Sequence, residues 1–359
     1  MDSKINNFGF LRLFFATLVI FGHSPEIIDG NRSREIVTQI FGTLSLGELS
    51  VDAFFIISGF LISKSFHTSP SVWNYILKRS ARILPGFFVC FALCLLVLAP
   101  LVGGHLSADV LATNLKWFLR MTTPVVPGTF SGLPYPALNG SLWTIGYEFR
   151  CYMLVIVIGL LGLLSGKGRF LVLAIAAACL LANAFSLVQT LFPNFGEVQT
   201  VATTVRFTGL FLAGACFYLF SSSIVYKPAI AAPMAVLFVT GLFFPTLAEL
   251  TVATAGGYLI FFFAFAVRPL KISQWAAKND ISYGMYLYAW PVQISIVYAF
   301  ATQNHWLVSI ATLLIVAPLA AVSWVMIERP FQKLSHAGLR KSASRGAYSL
   351  QASNAGDQQ

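Results

Sequence analysis

Long apolar blocks alternate with short polar segments along almost the whole chain. Each block runs for about 20 residues without the apolar–polar alternation that barrel strands show. Runs of this length are typical of helices that cross a lipid bilayer. The pattern predicts an all-α integral membrane protein with about ten transmembrane helices, at roughly residues 8–28, 45–65, 84–104, 141–164, 169–188, 201–221, 228–247, 250–268, 282–302 and 305–327.

The longest connection between blocks covers residues 105–140. Its apolar piece at 110–121 is expected to lie at the membrane interface. The stretch that follows, "TTPVVPGTFSGLPYPALNGS", has too many Pro and Gly residues for a helix. We expect the first block to be a retained helix rather than a signal peptide, because no small-residue cleavage pattern follows it. The predicted domains are a transmembrane domain at 1–335 and a polar, disordered cytoplasmic tail at 336–359.

Composition and charge agree with a membrane protein. The chain is 57% hydrophobic and 10% charged, whereas a soluble protein has about 25% charged residues. If the N-terminus is cytoplasmic, sixteen of the 23 Lys and Arg residues fall in inner segments and only four in outer segments. This bias follows the positive-inside rule and predicts that both termini are cytoplasmic. Topology therefore accounts for the net charge of +10, and no nucleic-acid partner is expected.

Two charged or titratable side chains stand out in the first block. Arg12 and His23 are eleven residues apart, which places them on one helix face about 16 Å apart along the axis. A polar pair inside a membrane helix is a candidate functional site. The alternatives are a snorkelling arginine at the cytoplasmic end and a histidine that is hydrogen-bonded within the protein core.

Carboxylates lie near the outer ends of two later blocks. Asp52 follows Glu48 at the entrance of the second block, where a carboxylate could orient an imidazole or simply favour the helix N-terminus. Glu148 and Arg150 lie about 200° apart on a helix, so they are not expected to pair with each other. Glu148 is therefore a candidate acid, base or acceptor-binding group.

Basic residues cluster after the second block, on the predicted cytoplasmic side. Arg79 and Arg82 are three residues apart on one helix face, and Lys78 adds to their positive field. Guanidinium groups suit phosphate, to which they donate paired hydrogen bonds. The alternative is ordinary positive-inside anchoring.

Metal and disulfide chemistry are not expected. The histidines are scattered, with no ligand spacing, and the five cysteines all fall in apolar blocks.

The chain resembles the membrane-bound acyltransferase-3 family. Its R-x10-H signature is similar to Arg12 and His23, and five later landmarks are similar in the same order: "VDAFFIISGFLIS" at 51–63, "RSAR" at 79–82, "SLWTIGYEFRCY" at 141–152, "ISYGMYLYAWPVQ" at 281–293 and "SWVMIERPF" at 323–331. The resemblance implies a multi-pass protein of the bacterial inner membrane. It also implies transfer of an acyl group, usually acetyl, from cytoplasmic acyl-CoA to a sugar or polysaccharide hydroxyl.

The resemblance also implies roles for single residues. His23 becomes the catalytic base or a transient acyl carrier, and Arg12 helps to bind the donor or to position His23. Arg79 and Arg82 become contacts for the CoA phosphates. Asp52 and Glu148 would support His23 or the acceptor, and Asp52 could hold the tautomer of His23.

The resulting expectation is an O-acetyltransferase with acetyl-CoA as a donor substrate and no permanently bound cofactor. Its partners are the lipid bilayer, acyl-CoA and a carbohydrate acceptor. His23 is expected to face the cavity that begins at Arg79 and Arg82. The alternatives are a transporter or flippase of a polar lipid-linked substrate, and a non-catalytic membrane assembly or sensor protein. Within the enzyme class, the donor could carry a succinyl or longer acyl group, and the acceptor could be a cytoplasmic small molecule.

Overall fold

The computed structural model of the protein describes residues 6–335, which form helices joined by turns and loops. In chain order the helices are α1 (Phe8–Asp29), α2 (Ile36–Phe41), α3 (Leu46–His67), α4 (Val72–Leu101), α5 (Ala108–Leu119), α6 (Trp143–Leu160), α7 (Gly168–Ala184), α8 (Leu187–Leu191), α9 (Val198–Leu219), α10 (Pro228–Gly241), α11 (Pro245–Phe265), α12 (Lys271–Lys278), α13 (Ser282–Phe300) and α14 (His305–Ser335). The predicted tail at 336–359 lies outside the described residues.

Seven of these helices are long and apolar enough to cross a membrane: α1, α3, α4, α6, α9, α11 and α14. The prediction of an all-helical, multi-pass membrane protein is confirmed. The other three predicted spans also form helices, but α7 and α10 have only 17 and 14 residues. Helix α13 has 19 residues and is less apolar, because several tyrosines and a glutamine interrupt it. The count of ten therefore stays a prediction.

Helix α4 begins twelve residues before the predicted span. The hydroxyl of Ser71 accepts a hydrogen bond from the backbone N–H of Asn74, which caps the helix at this earlier position. The polar first turns thus belong to the helix, so Arg79 and Arg82 are held on a rigid element rather than on a loop. Between Leu93 and Leu98 the helix widens into a π-type turn.

Helix α3 is central and crosses α9 at very close range. A side chain on Gly59 would collide with the carbonyl oxygen of Phe211, and one on Gly214 would collide with the carbonyl oxygen of Ile56. Small residues at such a crossing let two membrane helices pack backbone to backbone. A capping box formed by Ser45 and Glu48 begins α3.

The connection that was expected to be irregular contains no helix between residues 120 and 142. Two buried asparagines tie it to the helices. Asn114 bonds the backbone N–H and C=O of Val125, and Asn139 donates to the carbonyl of Leu287 at 2.9 Å. This connection therefore forms an ordered cover over one end of the helices.

Candidate functional site

A cavity of about 120 Å³ lies among α1, α3, α4, α6 and α13. One part of its wall is charged and the rest is apolar or aromatic. The charged part combines three arginines and one carboxylate, namely Arg12, Arg79, Arg82 and Glu148. Arg12 and the R-x-x-R pair therefore line one cavity, although the two arginines of that pair are 67 and 70 residues from Arg12 in the chain.

Asp280 joins two of these arginines. Its Oδ2 lies 3.0 Å from Arg12 and 2.6 Å from Arg82, and its Oδ1 accepts a hydrogen bond from Ser282 at 2.7 Å. Burial alone would raise the pKa of Asp280, but the two guanidinium groups hold it well below its usual range. The carboxylate is therefore ionised at neutral pH.

Arg79 differs from its two neighbours because it forms no ion pair with any of the residues described. Its buried Nε has no hydrogen-bond partner, and the same holds for Nε of Arg12. Lys78 lies next to it in the chain but does not line the cavity, and its ammonium donates to the hydroxyl of Ser69 at 3.3 Å. The structure thus does not bring Lys78 into the predicted donor site.

Glu148 lies in the same cavity as the arginines. Its Oε1 accepts hydrogen bonds from Ser58 at 3.0 Å and from Tyr152 at 2.6 Å. As predicted, it does not pair with Arg150, which lies over the ring of Tyr147 at 4.9 Å. Its carboxylate lines the arginine cavity, which His23 does not. The predicted role of Glu148, to support His23 or the acceptor, stays a prediction.

His23 lies toward the C-terminal end of α1, where Glu26 orients it. Its Nδ1 is 3.2 Å from Oε2 of Glu26, and both side chains are only 12% exposed. The imidazole also packs edge-on against Trp290, with ring centroids 5.0 Å apart. If Nδ1 donates its proton to Glu26, Nε2 is left with a lone pair that can accept a proton or attack an acyl carbon.

Arg32 fixes Glu26 in turn. It lies 3.2 Å from Glu26 and 2.7 Å from Glu48. Burial alone would lower the pKa of Arg32, but Glu48 and Glu26 together raise it above its usual value. His23, Glu26 and Arg32 therefore form a line of alternating donors and acceptors. The pairing of His23 with Glu26 was missed in the sequence, although its three-residue spacing is readable.

Asp52 is not the residue that orients His23. It is fully buried and lies 2.7 Å from Arg206, which also pairs with Glu249. Asn183 donates a hydrogen bond to the same Glu249. Asp52 therefore does not hold the tautomer of His23, because a largely buried arginine on α9 pairs with its carboxylate. The alternative role, support of the acceptor, stays a prediction.

His23 does not line the cavity, contrary to expectation. Along α13 the last lining residue is Tyr286, and Trp290, which contacts His23, lies one helical turn further along the chain. The Tyr286 hydroxyl is 2.6 Å from the hydroxyl of Thr144 and donates to the carbonyl of Ser141 at 2.8 Å. These bonds fix the Tyr286 side chain in the wall of the arginine cavity.

Two kinds of chemistry thus occupy opposite ends of one helix. The arginine cavity can bind a polyanion, and the oriented imidazole can move a proton or form an acyl intermediate. Within residues 6–335, no group of three or more His, Cys, Asp or Glu side chains has a geometry suited to a metal ion.

Comparison with known proteins identifies relatives over nearly the whole chain. The sequence profile of a family described as "Acyltransferase domain" matches residues 5–328. An O-acetyl transferase of Shigella phage Sf6 is 26% identical over 91% of this chain and 96% of its own length. Nodulation protein 10 of Rhizobium leguminosarum bv. viciae is 28% identical, with 92% and 94% covered. A membrane-bound transacylase of Komagataeibacter xylinus is 24% identical, with 84% and 81% covered. No solved structure matches the chain at comparable significance.

Proposed function

The chain belongs to this family of membrane-bound acyltransferases, and we propose that it moves an acetyl group from cytoplasmic acetyl-CoA to a hydroxyl group of a carbohydrate. The observation that supports this most strongly is that one helix, α1, carries both Arg12, which lines the arginine cavity, and the oriented imidazole of His23. The name of the phage relative favours acetyl and an oxygen acceptor. The carbohydrate acceptor rests on the family resemblance alone.

The positive charge of the arginine cavity supports its assignment as the binding site for the CoA donor. CoA carries several phosphate groups, and Arg12, Arg79 and Arg82 supply three guanidinium groups around one cavity. The apolar remainder of the wall suits the pantetheine arm and the thioester. With both termini cytoplasmic and ten spans, these arginines face the cytoplasm, where acyl-CoA is made.

The chemistry is assigned to His23. Its Nε2 accepts the proton of the acceptor hydroxyl while the oxygen attacks the thioester carbonyl. The C–S bond then breaks, and the protonated imidazole returns the proton to the CoA thiolate. Glu26 stabilises the positive charge that His23 carries between these steps. The sum of the steps is one ester and one thiol formed from one alcohol and one thioester.

The separation of the two ends favours transfer across the membrane. A thioester that enters from the arginine cavity has to pass Tyr286 to reach His23, which lies near the outer end of α1. The acceptor would then approach from the outer face, beneath residues 120–142. A carrier would also need buried charges, but the family is one of acyltransferases. In a bacterium, the inner membrane is the bilayer that has acyl-CoA on one side.

The test is acetyl transfer by purified protein reconstituted in vesicles, with labelled acetyl-CoA and the surface glycans of a strain that lacks the gene. His23→Ala should abolish transfer at unchanged protein level, whereas His105→Ala, at an exposed position, should not. Full activity of His23→Ala would remove His23 from the mechanism. Mass spectrometry of glycans from cells with and without the protein would identify the acceptor.

A further inference from the structure

The three arginines of the cavity are not equivalent. Arg12 and Arg82 share a single carboxylate oxygen of Asp280, at 3.0 and 2.6 Å. Arg79 has no ion-pair partner among the described residues; its Nε is buried without a hydrogen bond, as is Nε of Arg12, so the difference lies in the ion pairing. A phosphate that enters the cavity can therefore bond Arg79 directly, but has to compete with a carboxylate for the other two.

We propose that Asp280 is an internal counter-anion that competes with the donor phosphates for Arg12 and Arg82 and leaves Arg79 as the dedicated phosphate contact. The inference rests on the proposed function, since it assigns residues to recognition of the CoA donor. Asp280 is then a positioning residue that limits donor affinity and promotes release of free CoA, because it recaptures both guanidinium groups when the phosphates leave.

The geometry supports competition rather than passive bridging. One carboxylate oxygen serves both arginines, so each guanidinium keeps donors free for a second anion. The other carboxylate oxygen is held by Ser282, which itself lines the cavity. Asp280 precedes α13, and its carboxylate is held by side chains of three helices: Arg12 of α1, Arg82 of α4 and Ser282 of α13.

The direction in which Asp280→Asn changes the affinity for CoA distinguishes this proposal from a purely structural salt bridge. Replacing Asp280 with Asn removes a negative charge from beside the polyanion site. At the effective dielectric constant of a partly buried site, such a change is worth on the order of tenfold in affinity. A structural salt bridge predicts the opposite, because two unpaired arginines would disorder the cavity and weaken binding.

The experiment measures binding of CoA itself to the full-length, detergent-solubilised protein by calorimetric titration, so that no transfer is needed. Asp280→Asn should lower the dissociation constant about tenfold, and Arg79→Gln should raise it at least as much. Asp29→Asn is the matched control. Asp29 pairs with Arg34 at a distance of 2.6 Å, and neither residue lines the cavity. It should leave binding unchanged.

Equal or weaker binding by Asp280→Asn, with wild-type binding intact, would overturn the inference. If that variant does not fold, CoA binding by Ser282→Ala is the test, because this change removes a hydrogen bond to Asp280 but keeps its charge. It should tighten binding about twofold, and unchanged or weaker binding counts against the proposal. Absence of CoA binding to the wild-type protein is a different result and would refute the proposed donor.

Discussion

Replacing Glu26 with Gln tests whether this carboxylate makes His23 an effective base. Glutamine has the same shape and can still accept a hydrogen bond from Nδ1, so the orientation of the imidazole should survive. What is lost is the negative charge that stabilises the imidazolium during transfer. We expect kcat to fall about 10- to 100-fold, with the KM for acetyl-CoA unchanged.

The magnitude follows from the contact. A hydrogen bond to a charged group contributes about 1.5–3 kcal/mol, and each 1.36 kcal/mol corresponds to a factor of about ten in rate. His23 and Glu26 are each 12% exposed, so solvent screens their interaction only weakly. The donor KM should not change because the arginine cavity does not include either residue.

The assay is the initial rate of acetyl transfer by purified protein over a range of acetyl-CoA concentrations. Glu48→Gln is the matched control, because Glu48 also pairs with Arg32 but does not contact His23. Glutamine also preserves the capping box of α3. Equal losses of kcat in the two variants, or a raised donor KM in Glu26→Gln alone, would refute the reasoning.

Two further predictions concern stability rather than chemistry. Asp52→Asn should destabilise the protein by about 3 kcal/mol, because it removes one of the two carboxylates that pair with Arg206 in a buried site. Thermal unfolding in detergent should show a lower midpoint for this variant than for the control Asp109→Asn, at an exposed position. The kcat per folded molecule should stay at the wild-type value. A loss of kcat without a lower unfolding midpoint would return Asp52 to the catalytic machinery. Gly214→Ala should force α3 and α9 apart and lower the unfolding midpoint, whereas Gly196→Ala, which has open space around it, should not; equal midpoints would contradict the close crossing.

The positions of the helices were predictable because lipid imposes long apolar runs on any helix that crosses it. The error at the start of α4 has the same origin. Its first turns contain Lys78, Arg79 and Arg82 and are not apolar, so hydropathy alone begins the span too late. The available signal was the helix-capping serine at position 71, which does not depend on apolarity.

The partners of the charged residues were harder to predict. The contact between His23 and Glu26 is local, and a three-residue spacing on one helix could have revealed it. Asp52 and Arg206 are 154 residues apart in the chain. Only the close crossing of α3 and α9 brings them together, and no local pattern encodes which helices cross.

Helices α1 and α13 together set the geometry of the proposed reaction. Near the N-terminal end of α1, Arg12 meets Asp280, which directly precedes α13, and near its C-terminal end His23 meets Trp290 in the middle of α13. Because Arg12 and His23 both lie on α1, helix rise fixes their separation along the axis at about 16 Å. One inserted residue between Arg12 and His23 would turn the imidazole by about 100°, away from both Glu26 and Trp290. The ten-residue spacing of the R-x10-H signature is thus a structural requirement of the proposed reaction, since it places the proposed base on the same helix face as the arginine proposed to bind the donor.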